Sequence, residues 1–286
     1  MATGWEFPLV LVVCTILFLL VILTSTDLTS STRALAANAA VDIDAIDAAE
    51  FRLDGYVVAK GVFQEEEIDL LRERILELAP HEGTTFHPWY VPSVLDPGST
   101  IPAFQWRKKF NFMHNITNHT RLQQALKSVF GNESYVYTGH NDIGIDRVVG
   151  YHKDRLNGRY RHYEKHDLWS HSDHMIVKAA IYLQSHSDND DAMLFVPGSH
   201  LSSMDPKLDE AHKGVVRMHP TKGDVLIFEQ RATHRGREWQ LRDVLHTREP
   251  RILISLGYGL DNELTSEFAA GTLARQRDQC GDKCFV

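Results

Sequence analysis

Cysteine is scarce, with three in 286 residues. That excludes a disulfide-framework mini-protein and a four-cysteine zinc site. Positive charge is also short. Thirty Lys and Arg stand against 38 Asp and Glu, a net charge of −8, which argues against nucleic-acid binding by charge. There is no Gly-rich phosphate loop and no internal repeat. With 43% hydrophobic and 24% charged residues, the composition excludes a disordered chain, a coiled coil, a collagen and a multi-span membrane protein. Histidine is what the chain has in quantity, 16 residues. Imidazole is the commonest metal ligand and a general base near neutral pH.

One long apolar run is present. Pro8 to Thr24 carries no charge over 17 residues, at the short end of the range for a membrane-spanning helix. No Lys or Arg precedes it, so the positive-inside rule is nearly silent on orientation. A Ser/Thr/Ala-rich stretch from Ser25 to Ala40 reads as a linker. The expectation is an N-terminal hydrophobic helix acting as a single-pass anchor within residues 1–41, followed by one domain over 42–286. The alternative is a signal segment that is cleaved, leaving a secreted domain. Three sequons (Asn115-Ile-Thr, Asn118-His-Thr and Asn132-Glu-Ser) hint at a secretory lumen, where Cys280 and Cys284 could pair.

Within the domain, Gln64 to Leu78 is the clearest helix. Ile68, Leu71, Ile75 and Leu78 follow 3–4 spacing, and three Glu occupy the first turn, where the helix dipole favours them. Further helices are expected over Leu122–Phe130 and Glu263–Gln279. Short β-branched and aromatic runs predict strands at Tyr56–Val58, Tyr135–Thr138, Ile145–Tyr151, Ile176–Gln184, Met193–Val196, Val215–Met218, Asp224–Phe228 and Ile252–Tyr258. Short strands without intervening helices indicate an antiparallel sandwich or barrel with helices packed outside it.

A site for reactive divalent iron needs two histidines and one carboxylate on one face, with open positions opposite. Three His-X-Asp pairs are available: His152/Asp154, His171/Asp173 and His186/Asp188. Strand context favours His152/Asp154, because it follows the expected strand ending at Tyr151. His171/Asp173 remains the alternative. A distal histidine, His234, follows the apolar run Gly223–Phe228, and 17 residues later Arg251 opens the last strand. A guanidinium directed into a barrel needs a carboxylate partner, and its planar fork matches one bidentately.

The order of these pieces resembles the phytanoyl-CoA dioxygenase family of Fe(II)- and 2-oxoglutarate-dependent oxygenases. The pieces are Asp54–Gly61 with its Glu-rich helix, Gly150-Tyr-His-Lys-Asp154, Val196-Pro-Gly-Ser-His200, Gly223–Phe228, His234-Arg-Gly236 and Arg251. The resemblance implies a mainly β fold with flanking helices, the double-stranded β-helix or jelly roll. It implies His152, Asp154 and His234 as iron ligands. It makes Arg251 the partner of the far carboxylate of 2-oxoglutarate and His200 part of a structural corner. It also implies hydroxylation of a small-molecule or lipid-like substrate, with release of succinate and CO2, and substrate contacts from Arg155 to His174, with Trp169, Tyr160 and Tyr163 as apolar walls.

Two departures stand out. The interval from His234 to Arg251 is long, making Arg242 a rival for Arg251. Gly236 stands where some members carry a hydroxyl. Relatives that halogenate lack the metal carboxylate, whereas Asp154 is present here. A non-catalytic, membrane-tethered binding domain is the rival reading, and a missing ligand would be its mark. A cupin would gather three or more histidines with a Glu in an order absent here.

Overall fold

Alternation along the strands divides the sheet's side chains into two sets, and these set the layers of the fold. In the computed structural model the described residues are 42–78, 89–91, 114–145, 150–154, 173–185, 193–203, 214–236 and 251–280. The expected anchor and linker, residues 1–41, lie outside them, so the N-terminal hydrophobic helix has no structural support. Among the described residues no helix is long and apolar enough to cross a membrane.

The helices are α1 (Ala48–Asp54), α2 (Glu65–Leu78), α3 (His114–Thr117), α4 (Thr120–Phe130) and α5 (Glu263–Cys280). The strands are β1 (Tyr56–Ala59), β2 (Trp89–Val91), β3 (Tyr135–Ile145), β4 (Ile176–Tyr182), β5 (Leu194–Phe195), β6 (Val216–Arg217), β7 (Val225–Glu229), β8 (His234–Arg235) and β9 (Ile252–Leu260). They form a six-stranded sheet, β1-β7-β4-β9-β3-β2, and a three-stranded sheet, β6-β5-β8. Every pairing is antiparallel.

On one face of the large sheet, Val177, Ala179, Ile181, Val225, Ile227, Ile252, Ile254 and Leu256 join Ile68 and Ile75 of α2 and Leu122, Leu126 and Phe130 of α4 in one core. On the other face Ala180, Tyr182, Leu226 and Phe228 meet Phe195 and Met193 from the small sheet's side. Phe195 stands edge-on to Phe228 at 5.1 Å. Each large apolar side chain fully buried contributes roughly 1.5–3 kcal/mol. Because both faces are covered, all seven residues of β4 are buried, and the strand reads as a continuous apolar run broken only by Lys178.

α2 starts where Glu67 reaches back to the Gln64 N–H at 2.7 Å. α1 was not evident in the sequence. Asp47 caps it by accepting from the Ala49 N–H at 2.7 Å, and Gly55 ends it at φ 83°. A side chain at Gly55 would also overlap the ring of His200. His200 accordingly belongs to the corner at Gly198–Leu201: its Nε2 meets the Arg52 carbonyl at 3.0 Å, and the Gly198 N–H donates to the Asp54 carbonyl.

β3 differs from the expectation of two strands. It is one long strand, with a register shift between Tyr137 and Asn141 and Gly139 at φ 75°. At the bulge Thr138 is buried, and so are His140, Asn141 and Asp142, which fell between the two expected strands because they are polar. Of the strand expected over Ile145–Tyr151, residues 146–149 lie outside the described residues, Ile145 belongs to β3, and Gly150 and Tyr151 are not in a strand.

Candidate metal centre

Two short segments clasp each other at the end of β7. The His152 N–H donates to the His234 carbonyl at 2.9 Å, and the His234 N–H returns to the His152 carbonyl at 3.0 Å. This single antiparallel bridge sets the two imidazoles 4.4 Å apart between centroids. Two residues on, the Asp154 N–H donates to the Gln230 carbonyl at 2.8 Å. The pair is thus placed by bridging to the β7–β8 turn rather than by a strand of its own.

Each ring is then oriented by a backbone carbonyl. His152 Nδ1 lies 2.8 Å from the Gly150 oxygen, and His234 Nδ1 lies 2.9 Å from the Ala232 oxygen. A carbonyl only accepts, so in the neutral imidazole each Nδ1 carries the hydrogen and each Nε2 the lone pair. Both lone pairs converge on Asp154. His152 Nε2 is 3.3 Å from Oδ1, and His234 Nε2 is 3.6 Å from Oδ2. One ligand atom from each of the three residues lies within 4.8 Å of the other two. Two imidazole nitrogens and one carboxylate oxygen on one side of a site are the donor set that suits a divalent transition metal such as iron.

The electrostatics agree. Burial opposes charge on Asp154, but Lys178, then His234 and His152, outweigh it and hold its carboxyl well below the usual carboxylate range. Burial pushes His234 down to about 4, leaving it neutral and ready to ligate. Burial also lowers His152, yet the hydrogen bond and charge of Asp154 and the Gly150 carbonyl reverse the sign and raise it.

Behind the ligands lies a supporting layer that was not evident in the sequence. Lys153, between the two ligands of the pair, is only 7% exposed. Its ammonium donates to the carbonyls of Ser199 at 2.6 Å and Arg231 at 2.7 Å. Arg231 Nε donates to Glu229 at 2.7 Å and its terminal nitrogen to the His174 carbonyl at 3.1 Å. Burial pushes the Glu229 carboxyl up to about 7, against the pull of Arg231. The Ser199 hydroxyl accepts from the Thr233 N–H at 2.7 Å. Phe228 and Phe195 pack against His234, at 4.8 and 5.4 Å between ring centroids.

The triad opens onto a cavity also lined by Asp142, Gly144, Lys178, Gly236, Arg251, Leu253 and Ser255. Arg251 is 6% exposed, with its guanidinium 5.6 Å from the centre of the Tyr182 ring. It is thus a buried cation in the same cavity as the triad, and not a surface cap on β9. Asp142 is held by His140 Nε2 at 3.1 Å and by Arg275 of α5 at 3.6 Å. His171, His186, Asp188, Arg242, Trp169, Tyr160 and Tyr163 lie outside the described residues. Asp173 lies outside the cavity, and its carbonyl accepts from Asn262 at 3.0 Å. The signal for Lys178 and Lys153 was available: a lone charge in an apolar strand, and a charge between two ligands.

A family model, phytanoyl-CoA dioxygenase, matches residues 51–240. Among solved structures, the non-heme alpha ketoglutarate dependent epimerase SnoN from nogalamycin biosynthesis shares 20% identity, covering 76% of this chain and 80% of its own, with a TM-score of 0.52. HygX from Streptomyces hygroscopicus, with nickel and 2-oxoglutarate bound, shares 19% identity over 74% of this chain and 85% of its own, with a TM-score of 0.53. AviO1 from Streptomyces viridochromogenes shares 20% identity over 78% of this chain and 97% of its own, with a TM-score of 0.52. At these identities the likeness is one of fold. No curated protein matches the chain significantly. The family match spans well over half of the chain, and the chain belongs to the phytanoyl-CoA dioxygenase family.

Proposed function

We propose that the chain is an Fe(II)- and 2-oxoglutarate-dependent oxygenase, with His152, Asp154 and His234 as the metal ligands and Arg251 as the anchor of the cosubstrate's far carboxylate. The observation that carries this reading is the convergence of two Nε2 lone pairs and one carboxylate, each fixed from behind, in the cavity that also holds Arg251. Iron with 2-oxoglutarate supplies the oxidising chemistry: the substrate C–H bond becomes C–OH as dioxygen and 2-oxoglutarate yield succinate and CO2. The residues bind and orient. The backbone carbonyls of Gly150 and Ala232 fix the imidazole tautomers, and Lys178 holds the Asp154 carboxylate ionised. Phe195 and Phe228 exclude water behind His234.

The substrate is a small or lipid-like molecule. The related SnoN has been solved with nogalamycin RO and HygX with hygromycin B, which favours the small-molecule side. We also propose that residues 8–24 anchor the chain in a membrane. Release into the soluble fraction at alkaline pH would sink that part.

The test is succinate formation from 2-oxoglutarate, dependent on Fe(II) and lost in His234→Ala. Protein that binds metal yet never turns over 2-oxoglutarate with any substrate pool would favour a binding domain instead. The complete ligand set already weighs against that rival.

A further inference from the structure

We infer that Lys178 is a positioning residue that confines Asp154 to one metal-facing oxygen and so keeps coordination positions open for the cosubstrate. The inference rests on the oxygenase reading above.

Lys178 is out of place by composition. β4 is otherwise apolar, its odd-numbered residues face the helix-side core, and Lys178 faces the cavity between the sheets. Its side chain is only 11% exposed, so it does not reach bulk water. A buried ammonium costs several kcal/mol unless it is paired. Its cross-strand neighbours, Phe228 and Gly257, offer no charge. The position beside Gly257 is filled by others: a Cβ there would meet Thr138 Oγ1 at 2.5 Å and His140 Cβ at 2.8 Å. The ammonium instead reaches Asp154 Oδ2 at 3.0 Å.

This contact makes the two oxygens of Asp154 unequal. Each oxygen faces one imidazole, Oδ1 that of His152 at 3.3 Å and Oδ2 that of His234 at 3.6 Å, but only Oδ2 is also tied to the ammonium. A carboxylate free at both oxygens can take two positions on a divalent ion. An oxygen already accepting a charge-assisted hydrogen bond is a poor second ligand. Three protein positions leave room for a chelating 2-oxo acid and for oxygen, and four do not.

The arrangement has a signature that ordinary structural support lacks. A cation beside the site repels a divalent ion, so removing it does not weaken metal binding, while a second carboxylate oxygen on the metal obstructs the 2-oxo acid. The two affinities therefore move apart. The experiment uses the full-length protein with Co(II) as probe, followed by calorimetric titration of 2-oxoglutarate into the Co(II) form. In Lys178→Met, Co(II) binds at least as tightly as in the wild type, its visible spectrum changes, and 2-oxoglutarate binds about tenfold or more weakly. Lys178→Arg returns both towards the wild type.

Unchanged 2-oxoglutarate affinity in Lys178→Met overturns the inference. So does a parallel loss of both affinities, which is what a merely structural role produces. Infrared difference spectra of the wild type, apo against Co(II)-loaded with labelled Asp, provide a measurement that needs no variant. A one-oxygen carboxylate signature supports the inference, and a two-oxygen signature refutes it. Wild-type protein that binds no Co(II) overturns the oxygenase reading itself, together with this inference.

Discussion

Lys153→Met isolates the support behind the metal site from the site itself. Met keeps the length and the apolar contacts of the side chain but removes both donors. Two carbonyls, of Ser199 at 2.6 Å and Arg231 at 2.7 Å, lose the ammonium in a position only 7% exposed, and Ser199 keeps only the Ser202 N–H at 3.3 Å. A hydrogen bond from a charged group is worth about 1.5–3 kcal/mol, so the pair is worth about 3 kcal/mol at the low end. Met also relieves the cost of burying an ammonium, which trims the net loss to about 2–3 kcal/mol. For a domain of this size 1 kcal/mol moves Tm by roughly 2–4 °C, so Lys153→Met melts about 4–12 °C lower. The assay is thermal unfolding in the presence of a chelator, so that bound metal contributes nothing. The exposed Lys60→Met is the control and stays within about 0.5 kcal/mol. Because Lys153 lies between His152 and Asp154, the variant also binds Co(II) more weakly. A Tm within about 2 °C of the wild type refutes the reasoning.

Other expectations follow from the same geometry. Arg251→Met weakens 2-oxoglutarate binding by about 10–100-fold, the worth of one charge-assisted pair, while calorimetry finds Co(II) affinity intact. An equal loss of both affinities would assign Arg251 a structural role. Metal affinity falls with pH in a one-proton manner. His152 is raised above its ordinary 6.5 and must shed a proton to ligate, whereas His234, near 4, is already neutral. The affinity therefore drops about tenfold per pH unit below the His152 value and down to about pH 5, and a two-proton slope there contradicts the assignment. Gly55→Ala combines a positive φ with overlap on His200, and costs about 2 kcal/mol or more in chemical denaturation. Wild-type stability in that variant would show that the corner can move.

The core strands were legible because their chemistry is uniform. β7 and β9 are apolar runs entered by turns, and their observed limits lie within two residues of the expected ones. Spacing and order singled out His152, Asp154 and His234, and the structure brings these three together, but not in the way that strand context suggested for His152. Among the described residues 150–154 there is no strand, and a reciprocal pair of hydrogen bonds to His234 holds His152 in place. Such a bridge joins positions 82 residues apart, and local periodicity carries no trace of it. Polar residues of the interior were the other blind spot. His140 and Asp142 read as loop residues because burial of a charge becomes intelligible only once its partner is known, and Arg275 lies on the last helix. Lys178 and Lys153 did leave a trace, a lone charge in an apolar strand and a charge inside the His-X-Asp pair, but their partners lie far along the chain.

The candidate centre is built from a small set of described segments. The ligands and their supports come from β4, from the β7–β8 turn and from the segment that bridges to it, all tied by backbone hydrogen bonds. Residues 155–172 and 237–250 lie outside the described residues. Yet those two segments are joined covalently to the cavity. The first leaves from Asp154, and the second runs from Gly236 to Arg251, all three of which line it. The sequence puts the expected substrate contacts in the first of these segments, since function on a shared fold is set by the site and its surroundings. Substitutions at Tyr160, Tyr163, Trp169 or Arg242 should alter substrate turnover and leave Co(II) affinity where it was. If they moved metal affinity instead, the division between a fixed centre and variable walls would fail.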